Sequence, residues 1–461
     1  MSLLGAFVVP HPPLIVPAVG KGQEETIRNT INAYQEIARR IAELKPDTLI
    51  ISTPHSIMYS DYFHISPGRG AKGSFGQFGA REVAFQVTYD EEFVEHLELA
   101  ADRKGLEAGT LGEKNPALDH GTMVPMYFIN QYLKEYKLVR IGLSGLPVTD
   151  HYKLGRCIAE TAKKLNRRIV FVASGALSHR LKEEGPYGFA PEGPQFDQEL
   201  TAAIEKGDFL QLMSFKSDFC EAAAECGLRS FIIMAGALSG RAVKPELLSY
   251  EGPFGVGYAV CDLHPGEEDE NRHFDKIFEA KQKEYARERQ KQEDAYVSLA
   301  RYSLETYVKT GRRAKLPENL PEEMTGSRAG VFVSLKKFGE LRGCIGTIAP
   351  VTDSIAREIL RNAVSAGAED PRFPPVREEE LDDLVYSVDI LSKAEPIRGL
   401  EELDVKRYGV IVSSGRKRGL LLPNLEGVDT VEQQVAIAKK KAGIYDNEPF
   451  QLERFEVVRH K

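Results

Sequence analysis

Three histidines close three separate apolar runs in this chain, and that recurrence constrains the fold more than any other feature. His11 follows LLGAFVVP, His55 follows TLIISTP, and His179 follows RIVFVASGALS. A short apolar run ended by Pro, Gly or Ser reads as a buried strand. Its last side chains then reach the rim of an α/β sheet, where open α/β folds bind ligands. A fourth histidine, His120, stands in the tight segment Asp119-His120-Gly121. Imidazole is the commonest metal ligand and titrates near neutrality. Four rings at one rim therefore predict a metal site with acid–base groups beside it. His64, His96, His151, His264 and His273 fall in polar or helical contexts and read as surface residues.

The runs sit in a longer alternation. Strand patterns at 4–9, 48–52, 137–143, 168–173 and 256–261 are separated by amphipathic helical patterns, notably 25–45 and 150–166, the latter with Asp150 as its expected N-cap. Strands alternating with helices favour βαβ units and a largely parallel sheet. Residues 221–238, EAAAECGLRSFIIMAGAL, read as a loop entering a buried helix. From Pro265 to Asp294 the chain turns highly charged, as a solvated helix or a linker, and marks a boundary. Beyond it, helix and hairpin patterns are mixed, as in α+β folds: a helix from Ala295, strands around a turn at Lys337–Glu340, a helix over SIAREILRNAVSAGAE, the loop DPRFPPV, the strand LVYSVDILS, a hairpin YGVIVSSGRKRGLLLPNL and a last helix VEQQVAIAKKKAG. The expected organisation is an α/β domain over 1–265 with a central, mostly parallel sheet flanked by helices, a charged segment over 266–294, and a smaller α+β domain over 295–461.

The 461 residues suffice for two or three domains with real cores. A formal net charge of −8 does not suit a nucleic-acid-binding surface. No apolar run reaches the roughly 20 residues that span a bilayer, and the N-terminal apolar run lacks a basic n-region. The expected compartment is the cytoplasm, with no membrane partner; a homo-oligomer is compatible with the sequence. The five cysteines (157, 220, 226, 261 and 344) contain no C-x-x-C pair, which excludes a zinc ribbon and argues against a disulfide framework.

If His11 and His55 ligate one ion, a third ligand is needed, with positions left open for chemistry. Two histidines and a carboxylate on one face is the arrangement of non-haem Fe(II) oxygenases. Glu225, in AECGLRS, is the best-placed acid, and its neighbour Cys226 offers a thiolate that favours a softer metal. The competing reading of Glu225 is an ordinary acid at a helix start, favoured by the dipole. His120 and His179 then serve as proton-transfer groups for a phenolic substrate.

The motifs HPP, STPHS, DHGTMVP and SGALSH, in that order over nearly all of residues 1–265, resemble those of the class III (LigB-type) extradiol ring-cleaving dioxygenases and the related Memo proteins. The resemblance implies an α/β fold in which His11 and His55 take the places of the iron-binding histidines. His179 takes the place of the acid–base catalyst, and His120 that of a histidine contacting substrate or oxygen. At the third position the dioxygenases use a glutamate, as at Glu225, whereas Memo-like proteins have a cysteine before a glycine, as at Cys226.

In the second domain the densest motif is Arg342-Gly343-Cys344-Ile345-Gly346-Thr347. It reads either as a backbone-lined pocket with a thiol, with Ser365, Asp370, Arg372 and Phe373 lining the same cleft, or as a glycine-dependent bulge or turn with Cys344 as packing. The hexapeptide, with DPRFPPV, YGVIV and GLLLP, resembles the AMMECR family over about 290–455. Proteins of this kind are associated with Memo-like proteins and radical S-adenosylmethionine enzymes, which the resemblance implies as partners. The leading expectation is an Fe(II)-dependent extradiol-dioxygenase-like enzyme acting with O₂ on a small aromatic or catechol-like molecule. The alternatives are a non-catalytic metal-binding scaffold and a hydrolase using zinc or another divalent ion to activate water.

Overall fold

The computed structural model describes residues 2–114, 117–425, 428–445 and 447–461. The chain divides into two compact units, Met1–Phe278 and Glu279–Lys461. The division falls within the charged helix Phe274–Lys291.

The first unit is built on a six-stranded sheet: β1 (Leu3–Val9), β2 (Thr48–Thr53), β3 (Lys137–Gly142), β4 (Ile169–Ser174), β5 (Arg241–Glu251) and β6 (Tyr258–Glu268), in the order β3-β2-β4-β1-β6-β5. The four strands from β3 to β1 run parallel, and β6 and β5 are added antiparallel. Strands β2 and β4 are buried throughout, the pattern of parallel strands covered on both faces.

Side-chain alternation carries the site. Phe7 and Val9, Leu49 and Ile51, and Val170 and Val172 belong to one core cluster with Ala33, Tyr34, Ile37 and Ile41 of helix Arg28–Leu44 and Met123, Val124 and Phe128 of helix His120–Tyr132. Strand side chains repeat every two residues, so Thr53 and Ser174 end their strands on this same face, and the count from Phe7 through Val9 carries on to His11. On the opposite face, Ser52 meets Ser230 of helix Leu228–Ala237 at 2.5 Å. That helix and helix Val148–Lys164 touch backbone to backbone. A Cβ on Gly155 would lie 1.9 Å from the Ile233 carbonyl, and one on Gly236 1.9 Å from the Tyr152 carbonyl.

Three expectations are corrected. Helix Val148–Lys164 starts earlier than Asp150: Pro147 precedes it and Asp150 lies in its first turn. His151 is fully buried instead of exposed, because that turn's inner face meets the edge of Phe63, 4.6 Å away between ring centroids. His64, in the short strand Phe63–His64, is buried as well. The edge strand β5 and the hairpin Gly70–Phe75/Ala80–Thr88 were absent from the sequence reading. Among the described residues no helix is long and apolar enough to cross a membrane.

The second unit has two antiparallel sheets. The strands are β7 (Gly330–Lys337), β8 (Glu340–Gly346), β9 (Leu384–Leu391), β10 (Glu395–Ile397), β11 (Gly409–Ser414), β12 (Lys417–Leu421), β13 (Gln451–Phe455) and β14 (Val457–His460), ordered β8-β7-β9-β14 and β10-β13-β11-β12. Helices Ala295–Thr310 and Ile355–Val364 share a core with the first sheet, and Val431–Ala442 with the second.

Candidate metal centre

His11, beyond the end of β1, and His55, beyond β2, meet with their Nε2 atoms 2.9 Å apart. His120 joins them as the first residue of its helix. The His55 and His120 rings lie 3.9 Å apart between centroids and those of His11 and His55 4.6 Å apart. One ligand atom from each of the three lies within 4.8 Å of the other two.

Two hydrogen-bond networks hold the rings. Asp119 caps the helix through the Thr122 amide at 3.0 Å and accepts the Thr53 hydroxyl at 2.8 Å, while Thr53 Oγ1 accepts the His55 amide at 3.2 Å. This strings His55 and His120 onto one carboxylate. In the second network, Ser174 at the end of β4 lies 3.0 Å from His11 Nδ1 and donates to the Gly121 carbonyl at 2.6 Å.

Burial lowers the pKa of all four rim histidines. His11 falls well below the ordinary imidazole value, through burial and then through His55, His120 and His179. Burial lowers His55 also, against the pull of Asp119. His120 falls to about 4 through burial and His55, and His179 likewise to about 4. All four are neutral at pH 7, the form that ligates metal and accepts protons.

His179 faces the cluster electrostatically without joining the three-ring group. Its ring stacks on Tyr187 at 5.2 Å, and its amide is tied to the Ala223 carbonyl. Next to it, the Ser178 amide donates to Asp197, whose other oxygen accepts the Tyr250 hydroxyl, each at 2.7 Å. Burial raises the Asp197 carboxyl to about 6.

The expected third ligand, Glu225, lies outside the three-ring group. Its Oε2 accepts the Leu228 amide at 2.7 Å, so it serves the head of helix Leu228–Ala237 as an acid at a helix start. The side chain this turn sends to the rings is Cys226, with Sγ 3.8 Å from His11 Nε2 and accepting the Ala176 amide at 3.4 Å. Burial pushes that thiol up to about 12. His120, expected to contact substrate or oxygen, is the third donor within reach of a common ion.

The donor set fits a divalent cation. Two imidazole nitrogens each about 2.1 Å from one ion stand about 3.0 Å apart at a right angle and about 3.4 Å apart at a tetrahedral angle, and the 2.9 Å between His11 and His55 lies near the first. Sequence reasoning did not find Ser174, Thr53 or Asp119 as supports. Only Asp119 left a trace, because Asp two residues before Gly and three before Thr122 is an N-cap pattern.

In the second unit the Arg342–Thr347 motif lies in β8 and beyond. The Cys344 amide donates to Asp370 at 2.9 Å, its carbonyl accepts Arg372 at 3.0 Å, and its half-buried Sγ accepts the Ser334 hydroxyl at 3.2 Å. The Arg372 guanidinium holds the Asp370 carboxyl down to about 2. Arg342 forks onto Glu380 at 3.0 and 3.1 Å. Gly343 permits close approach, since a Cβ there would lie 2.1 Å from the Ala366 carbonyl. Ser365 donates to Glu369 at 2.6 Å, and Phe373 lies beneath the Arg372 guanidinium.

The first unit is thus a helix-flanked α/β sheet that carries, at the C-terminal rim of its parallel strands, a histidine cluster able to hold a metal ion. A family model described as the catalytic LigB subunit of aromatic ring-opening dioxygenase matches residues 5–261, and the AMMECR1 model matches residues 297–460. The chain belongs to the LigB family and carries an AMMECR1 domain after it. A Clostridium acetobutylicum protein is 46% identical over 469 aligned positions, covering 100% of both chains. A Thermotoga maritima protein is 53% identical over 171, covering 37% of this chain and 98% of its own. Among solved structures, an uncharacterised Pyrococcus horikoshii protein is 34% identical, with a TM-score of 0.34, over 36% of this chain and 88% of that one. An uncharacterised Escherichia coli protein is 13% identical, with a TM-score of 0.38, over 57% and 99%.

Proposed function

We propose that the first unit is a metal-dependent extradiol-type dioxygenase for a small catechol-like molecule, with Fe(II) as its ion. The observation that supports it most is the 2.9 Å approach of two neutral imidazole nitrogens, that of buried His11 and that of more exposed His55, with a third ring in reach. His11, His55 and His120 are the donors, and Cys226 stands at their margin. An ion held by these rings would supply the positive charge that acidifies a diol and the means to activate O₂ beside it. His179, neutral at pH 7, accepts a substrate hydroxyl proton and returns it later in the reaction. Phe78, edge-on to His120 at 5.6 Å, and Tyr187 against His179 offer aromatic walls to a flat ring. Both atoms of O₂ end in the product as a ring carbon–carbon bond breaks.

The test is anaerobic loading with Fe(II), then oxygen-electrode measurement over a catechol panel. The expected result is O₂ uptake matched to diol consumption and lost in His179→Asn. Bound metal with no uptake across the panel overturns the reading. It would favour a second one, supported by the nearness of Cys226 to His11: a metal-holding scaffold acting with a Memo-like protein and a radical S-adenosylmethionine enzyme.

A further inference from the structure

We infer that Ser174 is a positioning residue that sets which nitrogen of His11 carries its proton, and so leaves Nε2 bare for an ion. The inference rests on the reading of His11 as a metal ligand. Its origin lies in the sequence around His120. In an α-helix each carbonyl accepts the amide four residues on. For Gly121 that residue is Pro125, inside helix His120–Tyr132, and proline has no N–H. The Gly121 carbonyl therefore lacks its regular donor. Ser174, fully buried, supplies its hydroxyl at 2.6 Å.

The consequence follows from proton counting. A serine hydroxyl has one proton and a carbonyl has none. With that proton spent on Gly121, Ser174 Oγ can only accept from His11 Nδ1, 3.0 Å away. The neutral ring then carries its proton on Nδ1, and Nε2 presents a lone pair. Nε2 is the atom that lies 2.9 Å from His55 Nε2 and 3.8 Å from Cys226 Sγ. Without Pro125 the hydroxyl would be free to turn towards Nδ1, which would put the proton on Nε2 and block the site. A hydrogen-bond partner on the far nitrogen is the usual means of orienting a ligating imidazole, and its loss typically costs about 10–100-fold in metal affinity.

The experiment is a Zn(II) competition titration of the full chain as wild type, Ser174→Ala and Ser174→Cys, with ¹⁵N-histidine NMR of the metal-free wild type, His11 being assigned by its absence in His11→Asn. The expected result is a 10–100-fold weaker affinity in Ser174→Ala, an intermediate loss in Ser174→Cys, whose sulfur is a weaker acceptor, and a protonated Nδ1 on His11. Ser174→Ala binding within twofold of wild type, or a His11 proton on Nε2, overturns the inference. Should Ser174→Ala fail to fold, Ser174→Cys and the NMR still decide it. A wild type that binds no ion refutes the metal reading instead, and the tautomer then stands or falls on the NMR alone.

Discussion

Acidifying the metal-free protein from pH 7 to pH 5 should destabilise the first unit through the neutral histidines at its rim. His120 and His179 both fall from 6.5 to about 4 on folding. A base with a depressed folded pKa binds more protons when unfolded, so its contribution is full above about 6.5 and is lost as pH falls towards 4. Between pH 7 and pH 5 each ring costs about 1.8 kcal/mol. Asp197 opposes them, since its raised carboxyl, about 6, takes up a proton in the folded state and returns about 1.3 kcal/mol over the same interval. The net of these three is a loss of about 2 kcal/mol. His11 and His55 add to it, and Glu225, raised by burial, subtracts. The assay is urea unfolding of the chelator-treated chain followed by far-UV circular dichroism at both pH values, for wild type and for a His120→Asn/His179→Asn variant. The variant should lose about 3–4 kcal/mol less than wild type over the interval. Equal losses would refute the claim that these rings are held neutral by the fold.

Two further substitutions test the packing. Gly155→Ala, which by helix propensity alone should stabilise by about 1 kcal/mol, instead drives a methyl into the Ile233 carbonyl and should cost about 2–3 kcal/mol, read as a lower urea midpoint. In the second unit, Glu358 is fully buried and accepts four hydrogen bonds, from Thr347 Oγ1, the Val351 amide and the Thr352 amide and hydroxyl. Glu358→Gln turns one acceptor into a donor among donors and should cost about 2–4 kcal/mol by the same measurement; a change under about 0.5 kcal/mol would contradict the carboxylate's role.

The parallel half of the first unit was legible because its strands are largely apolar runs, interrupted in β3 by Arg140, that lead into Pro, Gly or Ser, and because three of those runs lead to a histidine. The α+β alternation of the second unit was equally plain in its turn residues. What the pattern hid has physical causes. Strand β5, RAVKPELLSYE, is an edge strand with half-exposed side chains, so it lacks an apolar run. His151 looks polar in sequence, but its helix face decides its burial. Glu225 and Cys226 are adjacent, and only the turn before helix Leu228–Ala237 determines which of them faces the rings. Ser174 is one serine among many until β4 is set beside β1 and the helix that begins at His120.

The most direct test is metal content. Chains reconstituted with Fe(II) under anaerobic conditions and desalted should hold about one ion each. His11→Ala and His55→Ala should hold none while keeping the wild-type circular dichroism spectrum. Full metal content in both variants would contradict a centre built on these two imidazoles.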